Sequence, residues 1–209
     1  MNSTTTGKFH LKFIVRENQT GRTGSFETDL VIPDLKNAPL KMSTVVLAAQ
    51  RQPVKGHEEN PLVRSGWELV PSVTHVFSPN QQLYLYYEVY DPAFEEGNEA
   101  AGPQRRAKAN SGVRLLSSVA FFQNSKKAYE TPLLTTQQLN TADRHAAAFQ
   151  VEVPLKGLKP GFYTCQVNVI DDAAGAFLAP RLALLVRQPG EAAKVASQQA
   201  QQSPSSQSP

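Results

Sequence analysis

Residues 161–186 read GFYTCQVNVIDDAAGAFLAPRLALLV, and their pattern limits the chain to a small set of folds. Tyr163, Cys165, Val167 and Val169 alternate with Phe162, Thr164, Gln166 and Asn168. A period of two is what a strand with one buried face requires. Asp171, Asp172 and Gly175 then supply turn chemistry, with short acceptor side chains and a residue free to take positive φ. A second alternating run, Leu182, Leu184 and Val186, returns. The stretch is therefore expected to be a β-hairpin, and its place near the end of the strand-rich region makes it the closing hairpin of a β-sandwich.

A twin of this stretch lies near the start. Residues 7–32 read GKFHLKFIVRENQTGRTGSFETDLVI, and an offset of 154 positions superposes the two. Gly7 falls on Gly161, Phe9 on Tyr163, Leu11 on Cys165, Phe13 on Val167 and Val15 on Val169. In the turns, Glu17–Asn18 falls on Asp171–Asp172 and Gly21 on Gly175. On the return strands, Leu30 falls on Leu184 and Ile32 on Val186. Few residues are identical, but strand phase and loop length agree, which reads as an internal repeat. The inward set of the first copy is expected to be Phe9, Leu11, Phe13, Val15, Phe26, Thr28, Leu30 and Ile32. Lys8, His10, Lys12, Glu27 and Asp29 are expected to face water. Two strands cannot bury such a face unaided. Either they join the sheet of the following domain, or they are the tail of a preceding one, and the repeat favours the second origin.

The remainder reads as strands and turns. Residues 40–49 are the expected first strand of the main domain, and residues 51–66, polar with two prolines, an expected loop. Leu83, Leu85, Tyr87 and Val89 face one way along residues 83–89 (LYLYYEV) and Tyr84, Tyr86, Glu88 and Tyr90 the other, the strongest strand pattern present. Further strands are expected at residues 113–122 and 147–153, with a mixed stretch at 128–139 where Pro132 argues for an edge. Residues 93–111 form a long Gly- and Ala-containing loop, and residues 189–209 an Ala/Gln/Ser/Pro tail, both of disordered composition. The fold class expected is all-β: an immunoglobulin-like (Ig-like) β-sandwich of antiparallel strands over residues 36–188, plus an extra N-terminal β-hairpin over residues 1–35 and a disordered tail.

The Ig-like part of that expectation rests on residues 155–165. A tight turn, Lys159–Pro160–Gly161, leads into Tyr163 and then Cys165. This resembles the corner of Ig-like domains, where a tyrosine opens a strand two residues before a cysteine and bonds back to the turn. Cys165 is the single cysteine of the chain, so an internal disulfide is excluded.

Composition fixes what remains. The chain has 209 residues, 40% hydrophobic and 19% charged, enough for a buried core. A net charge of +3 without a Lys/Arg cluster on any strand gives no support to nucleic acid as a partner. No apolar run has the length of a membrane span, and the start, MNSTTTGKFH, lacks the pattern of a signal peptide.

Three segments carry a family resemblance: residues 16–35 (RENQTGRTGSFETDLVIPDL), 73–92 (VTHVFSPNQQLYLYYEVYDP) and 158–175 (LKPGFYTCQVNVIDDAAG). Together they resemble the C-terminal β-rich region of bacterial von Willebrand factor A-related (VWFA-related) proteins, over most of residues 7–187. The VWFA domain itself is absent, since the sequence has no Asp-x-Ser-x-Ser motif. The resemblance implies a module of a larger extracytoplasmic or secreted protein, with no assigned activity of its own.

No catalytic motif emerges, so a non-catalytic module without cofactor is the expectation, with other protein domains or cell-surface components as partners. His10, His57, His75 and His145 are not spaced as zinc ligands. Cys165 falls on an inward face, where a thiol acts as a small hydrophobe. Asp171–Asp172 and Glu17–Asn18 offer too few oxygens for calcium and suit turns. Trp67, Tyr84, Tyr86 and Tyr90 are the one constellation with binding potential. An open aromatic row stacks on sugars or docks a protein, whereas a covered row is core.

Overall fold

A computed structural model describes residues 6–54, 60–94, 112–141 and 145–187. His57, residues 95–111 of the long loop and the tail from residue 188 lie outside the described residues. The chain divides into two compact units, Met1–Pro39 and Leu40–Pro209.

The first unit is a two-stranded antiparallel sheet, β1 (Gly7–Arg16) and β2 (Thr23–Ile32). Its register pairs Gly7 with Ile32, Phe9 with Leu30, Leu11 with Thr28 and Phe13 with Phe26. These pairs set the apolar residues on one face, as the alternation predicts. The Phe13 and Phe26 rings meet across the strands, their centroids 6.4 Å apart. The other face is mixed: His10 bonds Asp29 and Glu27, and Lys12 pairs with Glu27, beside the exposed Ile14 and Val31. No described residue of this unit is buried.

The second unit is a β-sandwich. One sheet runs β12 (Ala146–Pro154), β8 (Gln82–Tyr90), β4 (Val46–Pro53), β6 (Trp67–Pro71), β5 (Val63–Arg64), with β3 (Lys41–Met42) also on β8. The other runs β10 (Lys126–Glu130), β9 (Leu115–Gln123), β13 (Gly161–Asp171), β15 (Arg181–Val186), β7 (Val76–Phe77). To this second sheet β11 (Leu134–Thr136) adds on β9 and β14 (Ala176–Leu178) on β13. The order β4–β8–β12 facing β7–β15–β13–β9–β10 is the A–B–E and A′–G–F–C–C′ arrangement of an Ig-like sandwich. The short β7 pairs in parallel with β15, so the first edge of the chain passes from one sheet to the other. All other pairings are antiparallel.

The core lies between the sheets. Leu83, Leu85, Tyr87 and Val89 of β8 meet Phe149, Val151 and Val153 of β12 and Tyr163, Cys165, Val167 and Val169 of β13 in one buried cluster. Tyr87 stacks on Phe149 at 5.1 Å. Its hydroxyl lies 2.6 Å from Ser117 Oγ on the opposite sheet, and Ser117 donates in turn to the Asn168 carbonyl at 2.7 Å. Ser117 has one hydroxyl proton, so Tyr87 is the donor to it. The tyrosine corner forms as the sequence predicts, with Tyr163 Oη donating to the Lys159 carbonyl at 2.8 Å.

Two boundaries differ from the sequence reading. The first strand does not run through residues 40–49 but is split into β3 and β4, and β4 continues to Pro53, into the segment expected to be loop. Its polar end is an edge strand held by β6 across a register shift at Ala48–Gln50. Within the same expected loop, β5 turns into β6 through Ser65 (φ 51°) and Gly66 (φ 78°), the two-residue turn that suits hairpin twist.

The two hairpins share one register. In the sandwich Gly161 pairs with Val186, Tyr163 with Leu184 and Cys165 with Leu182, each pair 154 positions beyond its counterpart in β1–β2. Beyond the irregular Ala179–Pro180 step, Val169 still pairs with Leu178 and Asp171 with Ala176 in the same phase. The backbone repeats as well. Gly7 and Gly161 have φ of 146° and 145°, and Gly21 and Gly175 have φ of 71° and 62°. These are values that side-chain-bearing residues rarely adopt.

Candidate functional site

Trp67, Tyr84, Tyr86 and Tyr90 lie on the outer side of the β12–β8–β4–β6 sheet, where the alternation of β8 puts its even-numbered residues. They do not make an open row. Tyr84 and Tyr86 are buried, 9% and 4% exposed, in a small outer cluster with Ala48, Leu69 and Ala148. Leu62 and Val46 pack against it. Tyr90 is half-buried, and Trp67 alone is largely accessible, at 41%.

A cation organises this edge. The Arg51 guanidinium sits 5.0 Å from the Trp67 ring centroid and 5.4 Å from that of Tyr84, and also ion-pairs with Glu152 of β12. Cation–π contact of this kind is worth about 0.5–1 kcal/mol where exposed. Tyr86 donates to Glu88, itself buried. Burial first, then Glu88, pushes the Tyr86 hydroxyl up to about 12. Tyr84 and Tyr86 thus act as a satellite core, with Trp67 and Arg51 as its rim.

The outer face of the opposite sheet carries a feature that no local pattern announces. Arg181 Nε donates to Gln166 Oε1 at 2.7 Å, and Gln166 Nε2 to Asn168 Oδ1 at 2.6 Å. Asn168 Nδ2 donates to Ser118 Oγ at 3.1 Å, and Ser118 to Glu130 at 3.0 Å. Lys127 closes the run on Glu130 at 2.6 Å. This polar belt crosses β15, β13, β9 and β10. Beside it a shallow groove of about 500 Å³ is lined by Phe122, Phe162, Thr164, Arg181 and Ala183 among others. Phe162 is 76% exposed. An apolar rim beside preordered hydrogen-bonding groups suits a contact surface. Gln166 and Asn168 were legible as outward residues, but the belt depends on the register of four strands.

The remaining candidates have structural employment. Asp171 is buried and accepts from the backbone N–H of Ala93 at 2.8 Å and of Ala174 at 3.1 Å, while Asp172 pairs with Arg114 at 3.0 Å. Together they pin both ends of the long loop to the β13–β14 turn. Glu17, the counterpart of Asp171, accepts from the Thr20 hydroxyl. His75 Nδ1 lies 3.2 Å from the Ala183 carbonyl. Burial pushes the Cys165 thiol up to about 12, which keeps it protonated and unreactive. Among the described residues, no three His, Cys, Asp or Glu side chains gather as a metal site. No described helix is long and apolar enough to cross a membrane.

No protein-family model matches the chain, and no curated protein matches it.

Proposed function

We propose that the chain is a non-catalytic structural and interaction module of a larger, exported bacterial VWFA-related protein, built from tandem Ig-like sandwiches. The observation that carries this reading is the second closing hairpin, which repeats the register and both positive-φ glycines of the first. One polypeptide holding closing elements of two sandwiches has the organisation of an array that spaces or presents other parts. The polar belt and the groove beside Phe162 are the surface offered to partner domains. Cell fractionation of the source organism with an antibody to the sandwich tests the reading. The protein is expected in the extracytoplasmic or envelope fraction, and confinement to the cytosol overturns it.

The alternative, a carbohydrate-binding module using Trp67, Tyr84, Tyr86 and Tyr90, retains one exposed ring, Trp67, beside Arg51. Burial of Tyr84 and Tyr86 removes the flat platform that stacking on sugars uses. Retention on insoluble polysaccharide that Trp67→Ala abolishes would restore this alternative.

A further inference from the structure

The N-terminal hairpin has an inside and an outside. On one face His10, Lys12, Glu27 and Asp29 form ion pairs, at the positions where the sandwich hairpin carries Thr164, Gln166, Arg181 and Ala183 on its outer surface. Even the pairing recurs: Lys12 meets Glu27 where Gln166 meets Arg181. The opposite face holds Phe9, Leu11, Phe13, Val15, Leu30 and Ile32. At the same six positions the sandwich has Tyr163, Cys165, Val167, Val169, Leu184 and Val186, all at most 4% exposed in the main core. In the hairpin, Phe13 is 52%, Val15 70% and Leu30 45% exposed. Phe9, Leu11 and Ile32 are half-buried, so none of the six positions has the burial of its counterpart, although composition and register are those of an interior face.

The twin shows what covers such a face. In the sandwich the cover is a sheet of A, B and E strands with alternating apolar residues, represented by Leu47, Leu83, Leu85, Tyr87 and Phe149. It also shows how the strand edges are used. β13 pairs with the C strand from Thr164 to Asp171, and β15 with a short parallel strand at Leu185–Val186. The same offset places these docking edges at residues 10–17, along β1 and one residue past its end, and at Val31–Ile32 of β2. Among the described residues, the sheet to which both edges belong contains β1 and β2 alone.

From this we infer that the N-terminal hairpin is the F–G pair of a second Ig-like sandwich. Its occupant is a partial sandwich of A-to-E strands lying N-terminal to Gly7 in the same polypeptide. The chain order supports a source in the same polypeptide. In the sandwich unit the F–G hairpin follows strands A to E, and β2 leads within nine residues to β3, at the start of the next domain. The inference rests on the tandem reading above and adds which residues complete the preceding domain.

Thiol labelling tests it, because the native Cys165 is buried and silent. Phe13→Cys and Phe26→Cys probe the apolar face, and Lys12→Cys the opposite one. Each is placed in the 209-residue chain and in the natural polypeptide extended upstream through one further domain length. In the shorter chain all three are expected to react with maleimide at the rate of an open thiol. In the longer one, positions 13 and 26 are expected to slow at least about 100-fold while position 12 stays fast, since a covered site labels only on local opening. Should a single cysteine disrupt the upstream domain, slowed amide exchange at residues 10–17 of the unsubstituted longer polypeptide reports the same docking. Equal labelling in both, or a reading frame without upstream strands, overturns the inference. So does protection that rises with concentration of the shorter chain, which would name a second copy as occupant. An extracytoplasmic location together with unprotected hairpin cysteines would sink this inference and the tandem arrangement with it, leaving only an exported interaction module; a cytosolic location with protected cysteines would do the reverse.

Discussion

Ser117→Ala should destabilise the sandwich far more than the loss of one oxygen implies. Ser117 Oγ accepts from Tyr87 and donates to the Asn168 carbonyl, at 2.6 and 2.7 Å, and both side chains are buried. Removing it leaves the Tyr87 hydroxyl without an acceptor inside the core, at a cost of about 1–3 kcal/mol. Tyr87→Phe removes the donor instead, and Ser117 keeps its carbonyl partner, so about 0.5–1.5 kcal/mol is expected. In the double variant no hydroxyl is stranded. Its loss should therefore fall short of the sum of the singles by about 1 kcal/mol, within the range seen for contacting residues. Urea unfolding followed by fluorescence of Trp67, the single tryptophan, reads all three. On heating, Ser117→Ala alone should lower the midpoint by roughly 5 °C for a domain of this size. Additivity within about 0.3 kcal/mol would refute the reasoning, because it would mean that the two hydroxyls do not act together across the sheets.

Other outcomes follow from the same geometry. Tyr163→Phe should cost about 1 kcal/mol, the net worth of its bond to the Lys159 carbonyl, in the same urea assay. Cys165 should fail to react with a thiol reagent at pH 8 in the folded chain and react fully in urea, since burial holds its thiol up at about 12. His10 is held above its ordinary 6.5, first by Asp29 and then by Glu27. Its support of the hairpin is thus fully present below 6.5 and fades as pH rises through the elevated value. An NMR titration of the imidazole should show a midpoint above 6.5, and one at or below it contradicts the pairing.

What was legible in the sequence was what depends on neighbours along the chain. Both hairpins were readable because an antiparallel strand with one buried face writes a period of two, and because turns demand particular residues at fixed offsets. The corner was readable because Tyr163 reaches only four residues back. Features set by distant strands were not. Alternation along β8 shows apolar residues on both faces but not what covers the outer one, and the answer, Ala48, Leu69 and Ala148, comes from three other strands. The far end of β4 is polar because it forms an edge, so its strand character lies in pairing with β6 rather than in hydrophobicity. The belt from Arg181 to Lys127 needs four strands in register before any of its bonds exists.

The central claim is that two distant hairpins are copies of one closing element. Cross-strand Hα–Hα contacts measured by NMR in the full chain test it most directly. Hydrogen-bonded and closer non-hydrogen-bonded pairs alternate along an antiparallel ladder, so the account predicts contacts at His10–Asp29 and Lys12–Glu27 and, 154 positions on, at Thr164–Ala183 and Gln166–Arg181. Contacts shifted by one or more residues in one hairpin relative to the other, or absent from residues 7–32, would contradict it.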